Sequence, residues 1–189
     1  MWCRVGANVR VGRGFSMMEM LIVLAVVAVL VTLAAPGLRM TLIKQQVGST
    51  INALVADLQT ARTLAISRGR LVGVVAANGN WLDGWQIQPD SAPATAGYTA
   101  ASGAPLRQHE ALDAEFSAAA DRGGALGSVV FAQDGSVYDT ASNGRASIDT
   151  TFSVCKPAGS QAQAMTLVVH ASGQMESYRD SSVSGATCS

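Results

Sequence analysis

The sequence predicts an α+β protein in which a long N-terminal helix packs on an antiparallel β-sheet domain. One observation is an uninterrupted run of 19 residues without a charged side chain, 20–38, nearly all aliphatic. Another is the change near residue 70 to short apolar segments separated by turn signals. A helical region followed by consecutive strands is typical of an α+β fold. We therefore expect a helix over 15–69 and a β-rich domain over 70–189.

The apolar run has the length of a membrane-spanning helix, for which about 17–25 residues are needed. A buried helix of a globular domain normally keeps a polar face, and this run has none. Three arginines and no acid lie within residues 1–14. Because a basic flank stays in the cytoplasm, the pattern predicts a single pass with its transmembrane half at about 15–38. The domain over 70–189 would then be exported.

A distinctive order of residues precedes the apolar run, with Gly14 followed by Phe15 and then by Glu19 inside an otherwise apolar stretch. A carboxylate at the edge of a membrane helix costs about 2 kcal/mol or more unless it finds a partner, so Glu19 indicates a function. Removal of an ordinary signal peptide is disfavoured, because the apolar core exceeds the usual length of about 7–15 residues.

The helix has a predicted kink and an apolar stripe. Pro36 removes a helical hydrogen bond and Gly37 lowers helix propensity, so a kink or a melted turn is expected there. Beyond them, apolar residues recur at spacings of three and four, which predicts the face that packs on the exported domain. These residues are Val47, Ile51, Leu54, Val55, Leu58, Ala61 and Ala65.

Short apolar segments predict the strands of the exported domain. They lie at 71–77, 81–88, 128–133, 136–138, 151–155, 166–171 and 174–179. Asn78-Gly79 predicts a turn, and Asp134-Gly135 and Ser172-Gly173 predict hairpin turns. Residues 90–125 lack a clean period and are expected to be irregular. Trp81 and Trp85 lie four apart in one predicted strand, so they are expected to share a sheet face as core residues.

The N-terminal residues resemble the class III signal of type IV prepilins and pseudopilins, since Gly14, Phe15, Glu19, the aliphatic run and Pro36 fall at that family's spacing. The resemblance implies that residues 1–14 are a leader peptide. It also implies that a dedicated peptidase cuts between Gly14 and Phe15 and methylates the new amine of Phe15. It also implies that Glu19 pairs with the N-terminal amine of a neighbouring subunit during filament assembly. Such pairing neutralises two charges that would be costly alone inside a helix bundle.

The exported region resembles the FimT/FimU and GspH branch of minor pilins. The similarity rests on the segment 81–85 and on Phe131, Gly135, Phe152, Cys155 and Gly173. It implies a minor pilin that initiates or caps a type IV pilus, with a minor pseudopilin of a type II secretion system as the alternative. The implied partners are other minor and major pilins, the prepilin peptidase, the inner-membrane assembly platform and, before assembly, membrane lipid. The implied location is the bacterial inner membrane with the C-terminal domain in the periplasm, then a pilus or pseudopilus.

A second alternative is DNA binding for natural transformation, which some relatives in this branch perform with arginines after a glycine in the last strand. At the matching place Gly173 is followed by Gln174 and Met175, then by Glu176. Residues 70–189 carry six Lys and Arg against eleven Asp and Glu, a net charge of −5. Because phosphate binding depends on clustered basic residues, this charge disfavours a nucleic-acid partner.

The cysteines and histidines predict no catalytic or metal site. In an exported domain Cys155 and Cys188 form an even pair that predicts a disulfide, and free buried thiols are the alternative. His170 ends an aliphatic strand and is expected to be a hydrogen-bonded structural residue, while His109 lies in an unlike context. The histidines and cysteines lack metal-ligand spacing, and no phosphate-binding loop is evident. We therefore expect a protein without cofactor or metal that is not an enzyme.

Overall fold

A computed structural model describes residues 15–91, 97–158 and 164–179, without the side chains of 34–36. The chain divides into two compact units, Met1–Thr41 and Leu42–Ser189. Helix α1 (Met17–Arg68) is the first described element and contributes residues to both units. The residue that follows it, Gly69, has a φ of 60°, in the left-handed region that glycine adopts without strain.

Among the residues that the structure describes, ten strands and two short 3-10 turns follow the helix. The strands are β1 (Val72–Ala76), β2 (Trp85–Pro89), β3 (Arg107–His109), β4 (Ser117–Asp121), β5 (Ser128–Phe131), β6 (Val137–Asp139), β7 (Gly144–Arg145), β8 (Thr150–Cys155), β9 (Met165–Val169) and β10 (Met175–Tyr178). The 3-10 turns, Ala77–Gly79 and Trp81–Asp83, lie between β1 and β2.

The strands form two antiparallel sheets. One has six strands in the order β3-β2-β1-β5-β6-β7, and the other has four in the order β10-β9-β8-β4. The α+β class and the hairpin turns are confirmed, since Asp134-Gly135 joins β5 to β6 and Ser172-Gly173 joins β9 to β10. The sequence predicted an antiparallel β-sheet domain, and the pairing of distant strands such as β4 with β8 divides its strands into two sheets.

Two predictions about strands are wrong. The strand expected at 81–88 begins only at Trp85, because Trp81–Asp83 forms a 3-10 turn capped by the Asn80 side chain, which accepts from the Leu82 amide at 3.0 Å. The stretch 90–125, expected to be irregular, contains β3 and β4. Strand β4 is rich in alanine, and its place in the sheet comes from pairing with β8 rather than from its own propensity.

One hydrophobic core joins the helix to both sheets. The predicted stripe supplies Val47, Ile51, Leu54, Leu58, Ala61 and Ala65, all fully buried. The six-stranded sheet adds alternating residues such as Val72 and Val74, and the four-stranded sheet adds Phe152 and Leu167. Both predicted core tryptophans are buried, which confirms that they are core residues, but they do not share a sheet face because Trp81 lies in a 3-10 turn. Trp81 packs edge-on against Phe152 with ring centroids 4.8 Å apart.

Candidate assembly site

The start of α1 is capped by Ser16. Its side-chain oxygen accepts a hydrogen bond from the Met18 amide at 3.3 Å, and its carbonyl accepts from the Glu19 amide at 3.0 Å. A serine at this position satisfies amides that have no partner within the helix. Phe15 therefore lies outside the helix and is exposed. Gly14, the other residue of the predicted cleavage site, is outside the described residues.

Glu19 lies in the first turn of α1 and is exposed. Its carboxylate makes no hydrogen bond or ion pair within the described part of the chain. An acid near a helix N-terminus interacts favourably with the helix dipole, so Glu19 is tolerated at this position. The dipole does not explain why an acid, rather than another apolar residue, lies there. The carboxylate is thus available to a partner outside this chain.

The helix from its start to Leu42 presents an exposed apolar surface, here called the apolar sleeve. Its large members are Met17, Met18, Met20, Leu21, Ile22, Val23, Leu24, Val26, Val27, Val29, Leu30, Val31, Leu33, Leu38, Met40 and Leu42. Contiguous apolar surface of this extent indicates contact with a membrane or with other protein.

Within the described residues, no single helix meets the length and hydropathy criteria for a membrane span, whereas the bent pair Met17–Leu33 and Gly37–Arg68 meets them together. The predicted kink falls between these two stretches. Gly37 has open space around it, and its carbonyl accepts a hydrogen bond from the Thr41 hydroxyl at 3.1 Å. The side chain of Pro36 is outside the described residues, so its role in a kink stays a prediction.

A buried carboxylate that the sequence analysis missed fastens the second half of α1 to the six-stranded sheet. Asp57 is 2% exposed, and its Oδ2 accepts a hydrogen bond from the Trp85 ring N–H at 2.9 Å. Its Oδ1 lies 2.9 Å from Nε of Arg107 in an ion pair whose angles are not those of a hydrogen bond. The Trp85 ring also stacks on His109, with centroids 3.9 Å apart. The sequence did contain a signal for Asp57, since it is an acid that adjoins the apolar stripe, three residues after Leu54.

Arg62 ties the helix to both hairpin turns. Its Nε donates to the Gly135 carbonyl at 2.8 Å, and its terminal nitrogen donates to the Ser172 carbonyl at 3.3 Å. Gly135 and Gly173 both have positive φ, 79° and 81°. A Cβ on Gly173 would overlap the Gly135 carbonyl oxygen, so glycine is needed for the two turns to meet beneath this guanidinium.

The histidines and Cys155 have structural roles in the fold. His170 contacts Asp149 through Nδ1 at 2.8 Å, which confirms the expected hydrogen-bonded role. The Ala171 amide donates to the same carboxylate, and this hydrogen bond is the main reason that the pKa of Asp149 lies below its ordinary value. Among the described residues no group of His, Cys, Asp and Glu has metal-binding geometry. Cys155 is fully buried and disulfide-bonded, whereas Cys188 lies outside the described residues, so their pairing stays a prediction.

Comparison with known families gives two matches. The protein family described as type II transport protein GspH matches residues 50–173. The family described as the prokaryotic N-terminal methylation motif matches residues 10–35, a range that includes Gly14, Phe15 and Glu19. No curated protein sequence matches the chain.

Solved structures with a similar fold include two minor pilin-type proteins. The type IV minor pilin FimU of Pseudomonas aeruginosa strain PAO1 superposes with a TM-score of 0.57 at 24% identity, covering 77% of this chain and 96% of FimU. The minor pseudopilin EpsH from the type 2 secretion system of Vibrio cholerae superposes with a TM-score of 0.50 at 11% identity, covering 70% of this chain and 95% of EpsH. At these identities the likeness establishes the shared fold.

Proposed function

The chain belongs to the GspH family of type II transport proteins, and on that premise we propose that it is a minor pilin that initiates or caps a type IV pilus. It is a membrane-anchored minor pilin or pseudopilin of a pilus or secretion filament. The observation that carries the proposal is the apolar sleeve, an exposed helical surface that begins beside an unpartnered carboxylate, Glu19. Packing such helices side by side removes this surface from water and from lipid.

In this proposal the peptidase cleaves between Gly14 and Phe15 and the new amine of Phe15 is methylated. The chain first spans the inner membrane once, with the domain that follows α1 in the periplasm. It then leaves the membrane through the assembly platform and joins other pilins. The new amine of one subunit pairs with Glu19 of another, which neutralises both charges in a low-dielectric bundle. The exposed, non-helical Phe15 supports this processing, because a protease needs an accessible bond.

Substitution of Glu19 tests the role of the carboxylate. We expect Glu19→Ala and Glu19→Gln to insert into the membrane and to be cleaved normally but to be lost from sheared filaments, because neither can pair with an amine. Glu19→Asp, which keeps the charge, is the matched control and should retain part of the incorporation. Immunoblots of membrane and filament fractions measure both steps. Normal co-purification of Glu19→Ala with filaments would contradict the proposal.

A minor pseudopilin of a type II secretion system is the second candidate, favoured by the description of the family that matches residues 50–173. Deleting the gene and complementing it distinguishes the two. Loss of surface filaments in electron micrographs, restored by complementation, supports the pilus. Unchanged filaments together with a loss of secreted enzyme activity from the medium support the pseudopilus.

A further inference from the structure

Arg179, at the end of β10, lies against helix α1 within the unit Leu42–Ser189. The contact is made at Gly48, which is buried. A Cβ at Gly48 would lie 3.7 Å from a terminal nitrogen of Arg179 and 3.8 Å from Sδ of Met165. The guanidinium and the thioether therefore cover this turn of the helix, while Arg179 itself remains exposed.

Arg179 makes no hydrogen bond or ion pair within the described residues, although residues 70–189 have a net charge of −5. The other cations that follow Arg70 each lie between 2.9 and 3.8 Å from a carboxylate, namely Arg107, Arg122, Arg145 and Lys156. Asp180, which follows Arg179 in the sequence, is outside the described residues. The excess of acids in this domain thus leaves Arg179 without a carboxylate partner in the part of the chain that the structure describes.

Lys44 is a second cation on the same face of α1. It lies four residues before Gly48, so its side chain leaves the helix about one turn closer to the N-terminus. Lys44 is exposed and makes no hydrogen bond or ion pair among the described residues. Because the two cations repel each other, an anion held beside both of them would be stabilised there.

The two cations lie where the apolar sleeve ends. Leu42, the last large member of the sleeve, is 58% exposed and precedes Lys44 by two residues, about 3 Å along the helix axis. Lysine and arginine side chains near the end of a membrane helix extend their charged ends toward the lipid headgroups. The position therefore favours a partner that has an anionic group and apolar chains next to it.

We propose that Lys44 and Arg179 bind the phosphate of an anionic phospholipid headgroup while the chain is in the membrane. Arginine donates paired N–H groups to phosphate oxygens, and lysine adds a compact positive charge. The acyl chains of the same lipid cover Leu42 and the sleeve below it, whereas free phosphate or nucleic acid would leave Leu42 in water. The contact holds the start of the unit Leu42–Ser189 at the membrane surface until the chain enters a filament. This inference rests on the membrane stage of the proposed function.

Photo-crosslinking in lipid nanodiscs tests the inference with the full chain. A photoreactive amino acid replaces Gln45, an exposed neighbour of Lys44, in discs that contain a minority of phosphatidylglycerol in phosphatidylcholine. Mass spectrometry gives the ratio of the two lipid adducts, which is divided by the ratio of the two lipids in the disc. This normalised ratio should be well above one for the wild type. Each basic residue near an anionic surface contributes about a fivefold preference, so Lys44→Gln or Arg179→Gln should lower the ratio about fivefold.

The variants have a matched control. Arg68→Gln removes an exposed cation from the last turn of α1, far from Lys44 along the helix, and should leave the normalised ratio unchanged. Neither Lys44 nor Arg179 has a partner among the described residues, so their substitution should preserve the far-UV circular dichroism spectrum. Raising the salt concentration should lower the preference of the wild type, because salt screens exposed charges.

Several outcomes would overturn the headgroup site alone. These are a normalised ratio of one for the wild type, an unchanged ratio in Lys44→Gln/Arg179→Gln, and adducts with a second copy of the chain in place of lipid. Loss of the preference on addition of inorganic phosphate, beyond the effect of sodium chloride at equal ionic strength, would assign the site to free phosphate instead. Loss on addition of duplex DNA would assign it to nucleic acid. Failure of the wild-type chain to insert into the discs would overturn the membrane stage of the proposed function together with the site.

Discussion

The hydrogen bond between Asp57 and Trp85 should be a major source of stability in the unit Leu42–Ser189. It joins α1 to β2 in a buried setting with a donor–acceptor distance of 2.9 Å. A hydrogen bond to a charged group contributes about 1.5–3 kcal/mol, and a buried polar group left without its partner costs about 1–3 kcal/mol. Asp57→Ala leaves the indole N–H without its acceptor, and Trp85→Phe leaves the buried carboxylate without its donor.

A double-mutant cycle isolates this bond from the other losses, such as the stacking of Trp85 on His109. The double variant Asp57→Ala/Trp85→Phe has neither orphaned group, so its destabilisation should be smaller than the sum of the single effects. We expect a coupling energy of about 1.5–3 kcal/mol. Arg107→Ala should cost less, about 1 kcal/mol or below, because its side chain is 59% exposed and the ion pair is screened by water.

The assay is urea unfolding of the full chain in detergent micelles, monitored by far-UV circular dichroism. Tryptophan fluorescence is not used, because Trp85 is itself replaced. The matched control is a second cycle that pairs Trp85→Phe with Thr63→Ala, an exposed position on the same helix. That cycle should be additive within about 0.5 kcal/mol. A coupling energy below about 0.5 kcal/mol for Asp57 with Trp85 would refute the assignment of a strong buried hydrogen bond.

Two further predictions concern the turns. Gly173→Ala should lower the Tm by roughly 10 °C, because a left-handed non-glycine residue and the overlap with a neighbouring carbonyl together cost about 2–3 kcal/mol. Gly124 has open space around it, so Gly124→Ala is the control and should change the Tm little in the same melt. The depressed pKa of Asp149 means that its carboxylate stabilises the fold above the unfolded-state pKa and that this stability is lost as the pH falls through the lower folded-state value. The Tm advantage of wild type over Asp149→Asn should therefore be present at pH 6 and shrink below about pH 4, and an advantage that grows on acidification would contradict this sign.

Local patterns were enough to predict most elements of the fold. Spacing of three and four residues predicted the buried face of α1 from Val47 to Ala65, because helical periodicity is a property of neighbouring residues. Asp-Gly and Ser-Gly pairs predicted the two hairpins for the same reason. The prediction for 81–88 failed at its start, because the Asn80 side chain caps a 3-10 turn that strand propensity does not reveal. The hypothesis that Glu19 has a function came from its position in an apolar run and stays a prediction.

The sequence by itself determined that this protein has a helix with an apolar first half, an acid at its start and a β-rich domain after it, since each is encoded by adjacent residues. Only the tertiary structure decided the division into two sheets and the contacts of Asp57 and Arg62. These depend on residues distant in the chain, as when Arg62 donates to carbonyls 73 and 110 positions away. Such contacts form only after the core has brought the elements together. The periodicity of a single segment therefore does not indicate which distant residues it will contact.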